Sequence, residues 1–180
     1  ANYLAPVLDP SVSRSRLMHL NLTHNPIGDS GVRSIAGALL EGNNIYLRHL
    51  NLSRTQLTAE GAIFLANLLK FSYTIEELIV SRNKIGFEGV HEICQGLQDS
   101  IHENGSALRR LDLEMNEVDD RAAIRLGEML RGNDVLERLS LADNGIQSEG
   151  AKALADSLHS NLALRELDLE RNQIRDSGAI

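Results

Sequence analysis

A spacing of Leu, Ile and Val that recurs six times along the chain restricts its possible folds more than any other feature. Frames begin at Leu17, Leu47, Ile75, Leu108, Leu136 and Leu164, at steps of 30, 28, 33, 28 and 28 residues. Offsets 0, 3, 5 and 10 carry Leu, Ile or Val in all 24 cases. With 50 such residues among 180, chance would fill about 7 of those 24 positions. A fixed step of this length means that each unit is one supersecondary element, which buries its apolar face only against its neighbours.

The frame reads LxxLxLxxNx(L/I/V). Apolar residues two apart at offsets 3 and 5, from Leu20/Leu22 to Leu167/Leu169, point to one face of a short strand. Offset 8 is Asn25, Thr55, Asn83, Asn116, Asn144 and Asn172, a residue suited to satisfying backbone groups where the chain turns off the strand. Thr55 offers a shorter version of the same bond.

The second half of each frame changes period. Offset 14 is Gly31, Gly61, Gly89, Ala122, Gly150 and Gly178, always small, which would allow close approach of helix and strand. Offsets 18 and 22 pair Ile35 with Leu39, Leu65 with Leu69, Ile93 with Leu97, Leu126 with Leu130 and Leu154 with Leu158, the four-residue step of a buried helical stripe. Asp29, Thr58, Asp119 and Ser148 precede these stretches and are expected to cap them. The third frame is five residues longer than the modal 28, and its excess, in Gln98–Ala107 with the turn pair Asn104-Gly105, is expected as a loop beyond the helix.

These residues together resemble the ribonuclease-inhibitor-like subclass of leucine-rich repeats, over residues 17–180. The resemblance implies an α/β solenoid, a horseshoe with an inner parallel sheet and outer helices. The repeats then span 17–46, 47–74, 75–107, 108–135, 136–163 and an incomplete 164–180. Residues 1–16 read as the tail of a preceding repeat's helix plus a connector, because Leu4 and Leu8 stand where offsets 18 and 22 would. The expectation is a stretch of a longer array, with neighbouring repeats of the same chain as its first partners.

Chemistry of an enzyme is not encoded in any recognisable motif. The glycines follow the repeat rather than a phosphate-cradling loop, and HExxH and GxSxG are absent. No cofactor is expected. A lone cysteine, Cys94, excludes an internal disulfide framework and reads as a buried thiol. His19 and His49 share offset 2 and are expected to stack; with His24 they could also hold a metal. The net charge of −7 and the lack of a Lys/Arg run argue against a nucleic-acid partner, and no apolar stretch is long enough to span a membrane. With no signal-peptide pattern in residues 1–16, the expected compartment is the cytoplasm.

The concave face carries the functional expectation. Offset 4 reads Asn21, Asn51, Ile79, Asp112, Ser140, Asp168, and offset 6 reads Thr23, Ser53, Ser81, Glu114, Ala142, Glu170. Asp112 and Glu114 face Asp168 and Glu170 across Ser140, with Arg110 and Arg138 beside them at offset 2 and Ile79 as an exposed apolar neighbour. Such a recess between carboxylates fits a protein partner with a basic or amphipathic segment. By resemblance the chain is a non-catalytic interaction scaffold, a subunit of a larger intracellular assembly, cytoskeletal or ciliary. The same resemblance leaves two alternatives: a small-GTPase regulator like the Ran GTPase-activating proteins, or the sensor domain of an innate-immune receptor. For the former, Arg54, Arg82 and Arg171 at the rim are the available arginines.

Overall fold

A computed structural model describes residues 4–9, 13, 15–42, 44–103 and 106–175 of the chain. Strand and helix alternate as the two periods predict. The strands are β1 (His19–Asn21), β2 (His49–Asn51), β3 (Glu77–Ile79), β4 (Arg110–Asp112), β5 (Arg138–Ser140) and β6 (Glu166–Asp168). The helices are α1 (Ala5–Leu8), α2 (Gly28–Glu41), α3 (Ala59–Phe71), α4 (Gly86–Glu103), α5 (Asp120–Gly132) and α6 (Ser148–Leu158). The strands form one parallel sheet in chain order, β1 to β6. Each pairs in frame, so that Leu20, Leu50, Leu78, Leu111, Leu139 and Leu167 stand side by side. Residues at any one offset therefore form a row across the sheet.

Between sheet and helices lies one continuous apolar core. Leu50, Leu52, Leu57 and Leu65 of the second repeat, and Leu111, Leu113, Val118 and Leu126 of the fourth, are at most 1% exposed. Each such side chain contributes roughly 1.5–3 kcal/mol by leaving water. The sheet pairing outlasts the three-residue strands. Leu52 N–H donates to Ile79 O at 2.8 Å and Arg54 N–H to Ser81 O at 3.0 Å, and the later repeats repeat both bonds.

The Asn row closes the turn off the strand as expected. Asn144 Nδ2 donates to Leu113 O and Leu141 O at 3.0 Å each, and its Oδ1 accepts from Asn116 N–H at 2.9 Å and Val118 N–H at 3.0 Å. One amide thus joins two repeats. Thr55 keeps only a bond within its own repeat, Oγ1 to Leu52 O at 2.7 Å. Asn116 departs differently: Nδ2 reaches Val80 O, while Oδ1 has no hydrogen-bond partner among the described residues.

Three expectations need correction. The added residues of the third frame do not form a loop through Gln98; α4 continues to Glu103, giving 18 residues where α3 and α5 have 13. Asn104-Gly105 and Gly178 lie outside the described residues. Second, the small residue at offset 14 admits the preceding helix rather than a strand. A Cβ on Gly150 would stand 2.5 Å from Asp120 Oδ1 and 2.9 Å from Ala123 Cβ, and one on Gly61 would collide with Asp29 and with the Leu57 side chain.

Third, capping is shared differently. Thr58 and Asp119 cap α3 and α5, accepting from Glu60 N–H and Ala122 N–H. Asp29 lies inside the first turn of α2 and reaches forward, accepting from Thr58 N–H and Thr58 Oγ1 at 2.8 Å each. Asp120 does the same for Gln147 N–H at 2.6 Å. Ser148 is the first residue of α6, whose N-cap, Gln147, makes no side-chain bond. No helix among the described residues is long and apolar enough to cross a membrane.

Candidate functional site on the concave face

Because the strands pair in frame, the concave face is a grid of rows, and its charges settle mostly along them. In the offset-2 row, the rings of His19 and His49 stack at 4.2 Å with planes 6° apart. His49 Nδ1 then meets Glu77 Oε2 at 2.8 Å, Glu77 Oε1 meets Arg110 Nη1 at 2.9 Å, and Arg138 Nε lies 3.4 Å from Glu166 Oε2. The stacking is the outcome expected for the two histidines. Among the described residues, no group of three or more His, Cys, Asp or Glu side chains could hold a metal.

The recess lies where β4, β5 and β6 meet. It measures about 250 Å³ and is lined by Arg110, Asp112, Glu114, Arg138, Ser140, Glu166 and Asp168, together with Leu111 and Leu139. Six of the eight residues selected from sequence therefore come together. Glu170 is exposed and lies outside it, with Arg171 Nε 3.4 Å away. Ile79 is half-buried and lines a separate depression of about 200 Å³ beside His19 and His49.

The four acids are not equivalent. Glu114 is paired with Arg82 across the rim at 2.8 Å. Asp112 and Asp168 each commit one oxygen to the backbone two residues on, Oδ1 accepting from Glu114 N–H at 3.0 Å and from Glu170 N–H at 2.9 Å. Asn21 and Asn51 make the same bond to Thr23 and Ser53 at 2.9 Å each. Offset 4 is thus a turn-forming row as well as a charged one. The second carboxylate oxygen of each Asp makes no hydrogen bond or ion pair among the described residues. Burial raises the Asp112 carboxyl above its ordinary value, and the charges of Glu114 and Asp168 add to that, against the backbone bond and Arg110.

Two features escaped the sequence reading. Offset 1 reads Met18, Arg48, Glu76, Arg109, Glu137, Arg165, an alternation of sign that was legible and overlooked. Arg48 pairs with Glu76 at 3.3 Å, and Arg109 with Glu137. Offset 7 is left-handed throughout: His24, Arg54, Arg82, Met115, Asp143 and Arg171 all have φ between 52° and 63°. No glycine marks that row, so residue type carried no signal. Of the rim arginines, Arg82 is held by Glu114 and Arg171 by Asp143 and Glu170, while Arg54 makes no ion pair among the described residues. Cys94 is fully buried, and burial pushes its thiol up to about 12, which leaves it inert.

Comparison with known proteins agrees with this architecture. The sequence model described as leucine-rich repeat matches residues 16–36, 43–66, 72–94, 132–155 and 160–180. Ribonuclease inhibitor of Sus scrofa is 40% identical over 93 residues, covering 51% of this chain and 20% of that protein. NACHT, LRR and PYD domains-containing protein 5 of Mus musculus is 36% identical over 101 residues, covering 56% of this chain and 8% of that one. The chain spans a fifth or less of these curated relatives. In structure, the tropomodulin C-terminal domain of Caenorhabditis elegans superposes with a TM-score of 0.69 at 14% identity, over 88% of this chain and 90% of that one. Leiomodin-1 actin-binding site 2 gives 0.67 at 18% identity, over 89% and 86%. With the family model matching more than half of its residues, and with in-frame parallel strands backed by helices, the chain belongs to the leucine-rich repeat family and is of the ribonuclease-inhibitor-like type.

Proposed function

We propose that the chain is a non-catalytic scaffold whose concave face docks a cytoplasmic protein partner, with a Lys or Arg side chain of that partner seated in the recess between Asp112 and Asp168. The observation that carries this reading is the recess itself. Two Asp carboxylates, each with one oxygen uncommitted, flank Ser140 in a depression of about 250 Å³, enough for one long basic side chain. A carboxylate paired with a cation in a partly desolvated recess makes a stronger bond than one at an open surface. The carboxyl of Asp112, disfavoured as an anion in the free protein, is relieved by that cation.

The neighbours as well as the charge support a choice of partner to test first. Leiomodin-1 carries this architecture in a segment named for binding actin. A cytoskeletal assembly is therefore the first candidate for this chain. Cosedimentation with actin filaments, and capture from native extract, should be run for the parent beside Asp112→Asn/Asp168→Asn. Asparagine preserves the turn bond, as Asn21 and Asn51 do, and removes only the charge. Partners held by the parent and lost by the variant support the proposal. Partners held equally by both would refute the recess as the docking point.

A further inference from the structure

A charged depression lies outside the recess, on the rim where the chain leaves the strands for the helices. It measures about 860 Å³ and runs from the second repeat to the sixth. Its walls are two rows brought into register by the sheet. Offset 7 contributes Arg54, Arg82, Met115 and Asp143; offset 9 contributes Gln56, Lys84, Glu117 and Gly145. Taken together the two rows change sign along the groove: Arg54, Arg82 and Lys84 in the second and third repeats are basic, and Glu117 and Asp143 in the fourth and fifth are acidic.

The charges that could be cancelled from within are cancelled only in part. Arg82 is paired with Glu114, and Asp143 lies 3.4 Å from Arg171. Arg54 and Lys84 at one end and Glu117 at the other are exposed and make no ion pair among the described residues. Met115, 41% exposed, lies beside Glu117 in the fourth repeat. Arg54, Arg82, Met115 and Asp143, which line the groove, share the left-handed backbone of their row.

We infer that this rim groove binds an extended, bipolar segment of a protein partner. An acidic end lies on Arg54 and Lys84, and a basic end lies on Glu117 with an apolar residue beside it on Met115. Neighbouring strands are about 4.8 Å apart, so two steps from Arg54 to Glu117 cover about 10 Å. An extended chain advances about 3.3 Å per residue, so about three residues bridge the opposite ends. The segment runs along the solenoid, across the strands. Complementary potential at both ends sets its direction and rejects chains of uniform charge. This surface is separate from the recess and does not depend on it.

Fluorescence anisotropy with the full chain and a labelled peptide, Asp-Glu-Ser-Leu-Lys-Lys, tests the inference. A peptide of the same composition with its charges alternating is the control. The bipolar peptide should bind about tenfold or more tightly than the control, and the preference should shrink as salt rises. Arg54→Glu/Lys84→Glu should remove the preference, and Glu117→Lys should weaken it from the other end. Equal binding of the two peptides overturns the inference, as does an undiminished preference in Arg54→Glu/Lys84→Glu. A preference that falls as far in Asp112→Asn/Asp168→Asn would place the segment in the concave recess and overturn the rim site. Circular dichroism of each variant distinguishes lost binding from lost fold.

Discussion

Asn83 Oδ1 accepts hydrogen bonds from the backbone N–H groups of Thr55 and Leu57, at 3.0 Å each, in the repeat before its own. Its Nδ2 donates to Leu52 O at 2.9 Å and Val80 O at 2.8 Å, so one side chain satisfies backbone on both sides of a repeat boundary. Thr55 and Leu57 are fully buried, and water cannot replace the missing acceptor. Asn83→Ala should therefore cost about 3 kcal/mol, since each buried donor left alone costs about 1–3 kcal/mol. Urea unfolding measures it; a loss below about 1 kcal/mol would mean that the ladder is not what joins the repeats.

Gly61 and Asp29 are coupled in the same way between helices. A methyl group on Gly61 would meet the Asp29 carboxylate that holds Thr58, and the Leu57 side chain behind it. Gly61→Ala should cost about 1–3 kcal/mol by overpacking. Gly37→Ala, in mid-α2 with nothing within 4 Å of the added carbon, should instead stabilise by about 0.5–1 kcal/mol through helix propensity. Asp29→Ala should reduce the cost of Gly61→Ala, and a double-mutant cycle reads that coupling directly. Strict additivity would separate the two residues.

Much of this was legible because it repeats. Leu50 and Leu111 are core because their offset is apolar in every frame, and the Asn83 and Asn144 bonds follow from one polar residue at a fixed place in an apolar motif. The recess was legible once rows were read across strands, since parallel in-frame pairing makes Asp112, Ser140 and Asp168 neighbours. What was missed depends on backbone geometry or on a neighbour's reach. Asp112 and Asp168 read as free charges, although each bends back to a backbone N–H two residues away. Asp29 read as a cap for its own helix, although its carboxylate serves the next repeat. Left-handed φ at Arg54 and Met115 has no signature where the residue is not glycine.

Asp112 gives a pH dependence with a definite sign. Its folded-state carboxyl titrates above the ordinary value of 3.8, chiefly because burial disfavours the anion. Proton uptake therefore favours the folded state. The associated stability is fully present below pH 3.8 and is lost as pH rises through the raised folded value. Asp112→Asn keeps an acceptor for Glu114 N–H and has no charge to bury. It should unfold at higher urea than the parent at pH 7, with the gap closing as pH falls toward 3.8. A variant less stable than the parent at pH 7 would mean that the anion is favoured in the fold, by Arg110 or by the backbone bond. The same substitution should weaken a basic partner, so stability and binding would move in opposite directions at this residue.

The outer charge row tests how much its ion pairs contribute. Arg109 and Glu137 pair across β4 and β5, and Arg109 is more than half exposed. Exposed pairs are worth about 0–1 kcal/mol. Arg109→Glu should destabilise by about 1 kcal/mol, because it places a carboxylate in a row between Glu76 and Glu137. Adding Glu137→Arg should return part of the loss, leaving the introduced carboxylate still beside Glu76. Thermal unfolding at low and high salt separates these effects: the differences should shrink in about 1 M salt, and salt-independent losses would point to packing instead.

Met115 holds a left-handed backbone at φ 52° and is 41% exposed, so it combines strain with incomplete burial. A residue with a Cβ loses about 1–2 kcal/mol in that conformation, and glycine is spared it. Met115→Gly should stabilise the chain by about 1 kcal/mol, whereas Met115→Ala should leave stability nearly unchanged because it keeps the strain. Gly28→Ala, at φ 60°, should do the reverse and cost about 1 kcal/mol. Equilibrium urea unfolding of the three variants decides between backbone and side chain. If Met115→Gly and Met115→Ala destabilise equally, the thioether contacts outweigh the strain. If only glycine stabilises, the chain holds a side chain at the centre of the rim at a cost in folding free energy, which is the behaviour of a residue kept for what it touches.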